Sequence, residues 1–216
     1  MTEVWEQYYK RIEKEGVPEA LKGPRRQVKE LVPLLKKRGA EKILDLGCGF
    51  GRHLAFLAEQ GFKVAGQEIS ETALRMCKRA LEEKNLRAEL VHSSMVKIPF
   101  PDNYFDAVLC ITTLAHARKS DIKQTVNEVR RVLKKGGIFF FNVPSTGDSR
   151  YGTGKEVEPR TFLTEEYGYG KGILELHHFF TREEILNMLK DWQQVMVTEH
   201  SMRKGRIKGF YVLAVK

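Results

Sequence analysis

Cysteine is scarce in this chain. Cys48, Cys77 and Cys110 are the three that occur among 216 residues, and they lie far apart. Such spacing makes neither a disulfide framework nor a zinc knuckle, so no metal site is expected. The three read as small buried hydrophobes. Long apolar runs are absent as well, and none approaches the length of a membrane span. The first residues, MTEVWEQYYKRIEKEG, lack the layout of a secretory signal. A cytoplasmic location and no membrane partner are expected. Internal repeats and low-complexity segments are missing too. What is there is a globular composition, 42% hydrophobic and 30% charged, long enough for one domain with a full core.

Acid is the minority charge. Thirty-seven Lys and Arg face 28 Asp and Glu, for a net charge of +9. This balance favours anionic partners such as nucleic acid or phosphorylated metabolites. A Lys/Glu-rich surface of the thermophile kind has the same composition. The basic residues are mixed with acids and form no basic arm.

Strand and helix patterns alternate along the chain, which predicts an α/β fold: a doubly wound, mostly parallel sheet covered by helices. Residues 3–15 read as a helix. A second helix starts at Pro24, with Val28, Leu31, Val32 and Leu35 at helical spacing, and Pro33 should kink or break it. KILDLG, FKVAGQEI, AELVHS, FDAVLCIT and GGIFFFNVP read as five successive strands. Ser70 caps the helix carrying Leu74, Cys77 and Leu81. Ile122, Val126, Val129 and Leu133 mark one face of another. Thr181 and Glu184 form a capping box. The final two strands are joined by a short turn and should be antiparallel. Residues 145–178 carry Gly, Pro, Thr and charges with little period, as a lid or binding loop does.

The most informative stretch is ILDLGCGFGRHLAFLA, residues 43–58. A buried strand ends in Asp45 and gives way to Gly47, Gly49 and Gly51. A turn of so little bulk lets a ligand approach the backbone, and the next helix offers free N–H groups. Glu68, at the end of the next strand, can accept hydrogen bonds from both hydroxyls of a ribose. A dinucleotide loop reads G-x-G-x-x-G, whereas here the spacing is G-x-G-x-G. An acid beside it would repel a pyrophosphate and suits a ligand with a positive end, such as an amino acid's ammonium group. S-adenosylmethionine, an adenosine joined to an amino acid, has those parts.

Four stretches in order carry a family resemblance: LDLGCGFGRH, VAGQEIS, MVKIPFPDNYFDAVLC and EVRRVLKKGGIFFF. The chain resembles the class I S-adenosylmethionine-dependent methyltransferases, of the type-11-like small-molecule group. The likeness covers residues 40–144 closely and the rest loosely. It implies a Rossmann-like, seven-stranded sheet with the last strand antiparallel and a single domain. Residues 1–38 would be a helical cap, 40–144 the cofactor core, 145–178 an acceptor lid, and 179–216 the final helix and strand hairpin.

The resemblance also implies a cofactor site, with S-adenosylhomocysteine as the product. Asp45, Gly47, Cys48, Gly49 and Gly51 would form its loop, and Glu68 and Ile69 would hold the ribose. Ser94 and Met95 would hold the adenine, with serine where the family often has Asp. Ile111 and Thr112 would wall the methionine tail, and Tyr9 would reach it from the first helix. His116, His177 and His178 are the catalytic candidates; adjacent side chains on an extended chain diverge, so at most one of the last two faces a pocket. The expected acceptor is a small molecule; MRKGRIK between the last strands reads either as a solvated turn or as a guide for an anionic acceptor. ITTLAHA stands where amino-directed DNA methyltransferases have a proline- and aromatic-rich motif. The alternatives are an RNA- or protein-directed methyltransferase, a non-catalytic nucleic-acid-binding module and a nicotinamide-dependent oxidoreductase.

Overall fold

The computed structural model describes residues 2–165, 174–202 and 204–216. Its main sheet has seven strands in the order β3-β2-β1-β4-β5-β10-β9. These are β1 Lys42–Leu46, β2 Lys63–Glu68, β3 Glu89–His92, β4 Phe105–Ile111, β5 Leu133–Pro144, β9 Gln194–Met202 and β10 Ile207–Val215. The first five run parallel. β10 is antiparallel to β5 and to β9. β9 therefore runs with β5, and the turn after it emerges at the carboxyl edge of the sheet.

Alternation along the central strands builds two cores. Leu44 and Leu46 of β1, Val108 and Cys110 of β4, and Phe139 and Phe141 of β5 face α5 (Lys119–Val132) and α6 (Arg182–Met188). Ile43, Leu109 and Phe140 face the other way. They meet α2 (Arg26–Lys37), α3 (Arg52–Glu59) and α4 (Glu71–Glu83). Strands buried on both sides need apolar residues at every position, which is why IFFF reads as a run.

Phe139 is fully buried, stacked on Phe141 with ring centroids 4.5 Å apart. Truncating it to alanine should cost about 3–5 kcal/mol, read as a lower midpoint in urea at unchanged m-value. A loss under about 1 kcal/mol would mean that the site collapses to fill the cavity.

Three expectations need correction. Pro33 neither breaks nor ends α2, which runs on to Lys37. Lys29, whose carbonyl loses its intrahelical donor, is exposed, so water can serve that carbonyl. Leu133 opens β5 and pairs with Phe105, so it is not the last turn of α5. Residues 145–178 are not patternless. Their described part holds a second, antiparallel sheet of β6 (Lys155–Glu158), β7 (Thr161–Glu165) and β8 (Leu174–His178). Tyr151, Phe162 of β7 and Phe179 pack edge to face on one another. Tyr167 and Tyr169, expected as lid aromatics, lie outside the described residues.

Candidate functional site

A cleft opens at the carboxyl ends of β1, β2 and β4, where a doubly wound sheet places its ligands. Its floor is the turn from β1 to α3. Gly47, Gly49 and Gly51 all have left-handed backbones, with φ of 75°, 55° and 86°. L side chains rarely adopt that region, so the alternating glycines are required by conformation as well as by space. The turn is fixed by neighbours. The N–H groups of Gly47 and Cys48 donate to the Gln67 carbonyl at 2.8 and 3.1 Å. The Gly49 N–H donates to Glu68 Oε2 at 3.0 Å.

Glu68 does more than the sequence showed. Besides Gly49, its carboxylate accepts from the N–H groups of Ile69 and Ser70, at 2.7 and 3.0 Å. Burial pushes its pKa up, against those hydrogen bonds. Replacing Glu68 with alanine should therefore act twice. Cofactor affinity should fall by about 1.5–3 kcal/mol, and the fold should lose about 1–3 kcal/mol for the orphaned donors. Calorimetry and urea melts separate the two effects. A stability loss with intact affinity would make Glu68 a purely structural acid.

Asp45 lies beneath the loop, 1% exposed, and its Oδ2 has no hydrogen-bond partner among the described residues. Burial raises its pKa to about 7, with Arg52 opposing and Glu68 reinforcing the shift. A carboxylate so placed is matched by a cation.

The roof is α1 (Thr2–Glu15). Trp5, Tyr8 and Tyr9 line the cleft from it. A Cβ on Gly49 would stand 2.5 Å from the Tyr9 hydroxyl. Glu6 ties the roof down: it accepts from the hydroxyls of Ser70 and Thr72 at the start of α4. Burial opposes its ionisation, but the bonds from Thr72 and Ser70 hold its carboxyl at about 2.

The far wall comes from β4 and the loop after β3. Ile111, Thr112, Ser94 and Met95 all face the cleft. Met95 also packs on the core beneath. Thr112 has φ of 60°, an outlier for a β-branched residue. Asn142 holds it there by accepting its N–H at 2.8 Å.

All the expected cofactor residues line the cleft except Asp45 and Gly51. Asp45 lies under the loop. Gly51 instead makes room for Cys77, whose sulfur a Cβ there would strike. Sequence reading missed Trp5, Arg25, Arg52, His53 and Gln67. Gln67 had a legible signal, its place just before Glu68; its amide donates to the carbonyls of Ser94 and Lys97 at 2.8 and 3.1 Å. Burial, with Arg52 and Arg25 nearby, lowers the His53 pKa to about 3.

The catalytic candidates separate. His116 lines the cleft and packs edge to face on Trp5, ring centroids 4.8 Å apart. His177 lies against His116, centroids 4.6 Å apart. His178 turns away: its ring nitrogens meet Thr161 Oγ1 at 2.7 Å and Glu184 Oε1 at 3.2 Å. That is a structural role, because both nitrogens are engaged away from the cleft. Lys204, Arg206 and Lys208 stand on the β9–β10 side but do not line the cleft, and Arg203 lies outside the described residues.

The fold and the glycine floor define a class: a doubly wound domain that seats an adenosine-bearing cofactor at its switch point. Residues 44–141 match the methyltransferase-domain family. A demethylmenaquinone methyltransferase of Listeria welshimeri is 33% identical over 113 residues, 50% of this chain and 47% of that protein. A sterol 24-C-methyltransferase of Gibberella zeae is 39% identical over 101 residues, 45% of this chain and 26% of that protein. The matched segment thus spans less than half the length of these curated relatives. A solved S-adenosylmethionine-dependent methyltransferase of Methanosarcina mazei superposes with a TM-score of 0.70 at 26% identity, over 82% of this chain and 92% of that one. Over residues 44–141 the chain matches a methyltransferase domain of the type-11 group, within a fold similar to that of the S-adenosylmethionine-dependent methyltransferases. Among the described residues no helix is long and apolar enough to cross a membrane.

Two features of the cleft fit that cofactor. The glycine floor leaves no room for a side chain at Gly49. Unpartnered acceptor atoms also surround it: Asp45 Oδ2 below, and Gln67 Oε1 and Thr112 Oγ1 on residues of the wall. They complement a ligand rich in ammonium, hydroxyl and amine donors.

Proposed function

We propose that the protein transfers a methyl group from S-adenosylmethionine to a small-molecule acceptor. The observation that carries this is the buried Asp45, whose Oδ2 has no hydrogen-bond partner among the described residues, beside a left-handed glycine turn. It suits a cofactor with a cationic end and disfavours one with a pyrophosphate. Asp45 faces the ammonium, Glu68 the ribose, and Ser94 and Met95 the adenine. Tyr9 closes over the loop.

When bound, the cofactor supplies a methyl group already activated on a sulfonium. The chain's own task is then to align donor and acceptor and to exclude water. Trp5 and His116 form the acceptor's side of the cleft. The β6–β8 sheet backs them, since the His178 N–H donates to the Ala115 carbonyl at 2.8 Å. Residues 145–178 in this reading cover the acceptor. The cleft's roof of Trp5, Tyr8 and Tyr9 and the named activities of the two curated relatives support a small acceptor over RNA or a protein.

The test is titration with S-adenosylmethionine and with a nicotinamide dinucleotide. It is followed by labelled methyl transfer into cell extract split into small molecules, RNA and protein. Binding of the first alone, with label in the small-molecule fraction, is expected. Binding of the dinucleotide alone would overturn the reading, and label in RNA would overturn the acceptor class.

A further inference from the structure

Beside Trp5, three side chains of metal-ligand chemistry meet inside the protein. His116 follows β4 at the carboxyl edge of the large sheet. Glu175 and His177 are two residues apart on β8 and so share one face of it. Each of the three is 4% exposed. One donor atom from each of the three lies within 4.8 Å of the other two. His116 Nδ1 is 3.1 Å from Glu175 Oε2, and His177 Nδ1 is 3.8 Å from Glu175 Oε1.

We propose that His116, Glu175 and His177 bind one divalent transition-metal ion, of the zinc or iron(II) type, on the acceptor side of the cleft. Two imidazoles and one carboxylate are a set that such ions take while keeping positions open for water or substrate. Magnesium and calcium prefer more oxygen ligands than this cluster offers. Ion bonds of about 2.0–2.2 Å at tetrahedral angles set donors about 3.4 Å apart, so donors as wide as 4.8 Å must close by about an ångström, through rotation of the Glu175 carboxylate and the two rings.

The electrostatics agree. Burial, then His116 and Arg150, holds the His177 pKa well below the usual value, so its lone pair is available at neutral pH. Arg150 itself is matched by Asp148, its Nε 2.8 Å from Oδ1 and its Nη2 3.0 Å from Oδ2. Because His116 lines the cleft, an open position on the ion would face the acceptor. A hydroxyl or thiol bound there would lose its proton to solvent more readily; its anion would then bond the methyl carbon as the sulfonium–methyl bond breaks, leaving neutral S-adenosylhomocysteine. That role rests on the methyl-transfer reading, whereas the ion site does not.

The experiment strips the full chain with a chelator, then titrates Zn²⁺ by calorimetry and Co²⁺ by visible absorption. One equivalent should bind. Co²⁺ should gain the ligand-field bands of a nitrogen–oxygen site, and Zn²⁺ should displace it. Glu175→Gln and His177→Gln should each weaken binding by more than about 100-fold, beyond the range of a lost second-shell partner. Affinity for S-adenosylmethionine should stay unchanged in both. Absence of binding, or binding undiminished in both variants, would overturn the site and leave a hydrogen-bonded polar cluster. If either variant fails to fold, the Co²⁺ spectrum of the unaltered chain still decides. Ion binding without S-adenosylmethionine binding would sink the methyl-transfer reading and leave the ion site standing.

Discussion

Gly49→Val should abolish S-adenosylmethionine binding in a protein that still folds. The position has φ of 55°, and a β-branched residue there is a genuine outlier. Holding it costs about 1–3 kcal/mol. Escape from that strain moves the N–H that donates to Glu68. Loss of a hydrogen bond to a charged group costs about 1.5–3 kcal/mol. The new Cβ would also stand 2.5 Å from the Tyr9 hydroxyl, so the side chain must push the roof or enter the cleft. Together these predict a loss of affinity above about 100-fold, at 1.4 kcal/mol per factor of ten. The β1–α3 turn is one turn among many, and far-ultraviolet circular dichroism should stay unchanged. Calorimetry that finds normal affinity in a folded Gly49→Val would place the cofactor elsewhere.

The second large effect is a pH dependence set by Asp45. In the free protein its pKa is raised from 3.8 to about 7, with burial the first cause. The folded chain then holds a proton that the unfolded chain has released. Stability from this group is present below the unfolded value and declines as pH rises from about 4 to about 7. Cofactor binding runs the other way. A bound ammonium favours the ionised carboxylate, so binding below the raised pKa must expel a proton. Affinity should climb up to about tenfold per pH unit on the approach to 7 and level off above it. Asp45→Asn should flatten both curves and bind weakly throughout. Titrations between pH 5 and 7.5 would check this. A flat affinity profile in the unaltered protein would remove the ammonium from beside Asp45.

Much of this was legible in the residues. Alternation and cap chemistry located the strands and helices of the core. The unusual glycine spacing beside an acid pointed to S-adenosylmethionine rather than a dinucleotide. The second sheet was not legible. β6 and β8 are short, and each mixes charge with apolar residues, so neither shows a clean period of two. The meeting of His116 with Glu175 and His177 was hidden for a different reason: about sixty residues separate them, and only the return of β8 to the carboxyl edge closes that gap. His178 looked like its neighbour in sequence, yet strand geometry turned it to Thr161 and Glu184.

The first helix gives the protein a sequence of events in time. The same element roofs the cleft with Trp5, Tyr8 and Tyr9 and is latched by Glu6 to the start of α4. A cofactor seated on the glycine floor is thus shut in by a clasp whose bonds lie outside the cleft. In the proposed function, exchange of cofactor on that side would require the helix to lift from α4. In the proposed reaction the Glu6 carboxylate would thus bear on cofactor exchange from outside the cleft, through its bonds to Ser70 and Thr72 alone.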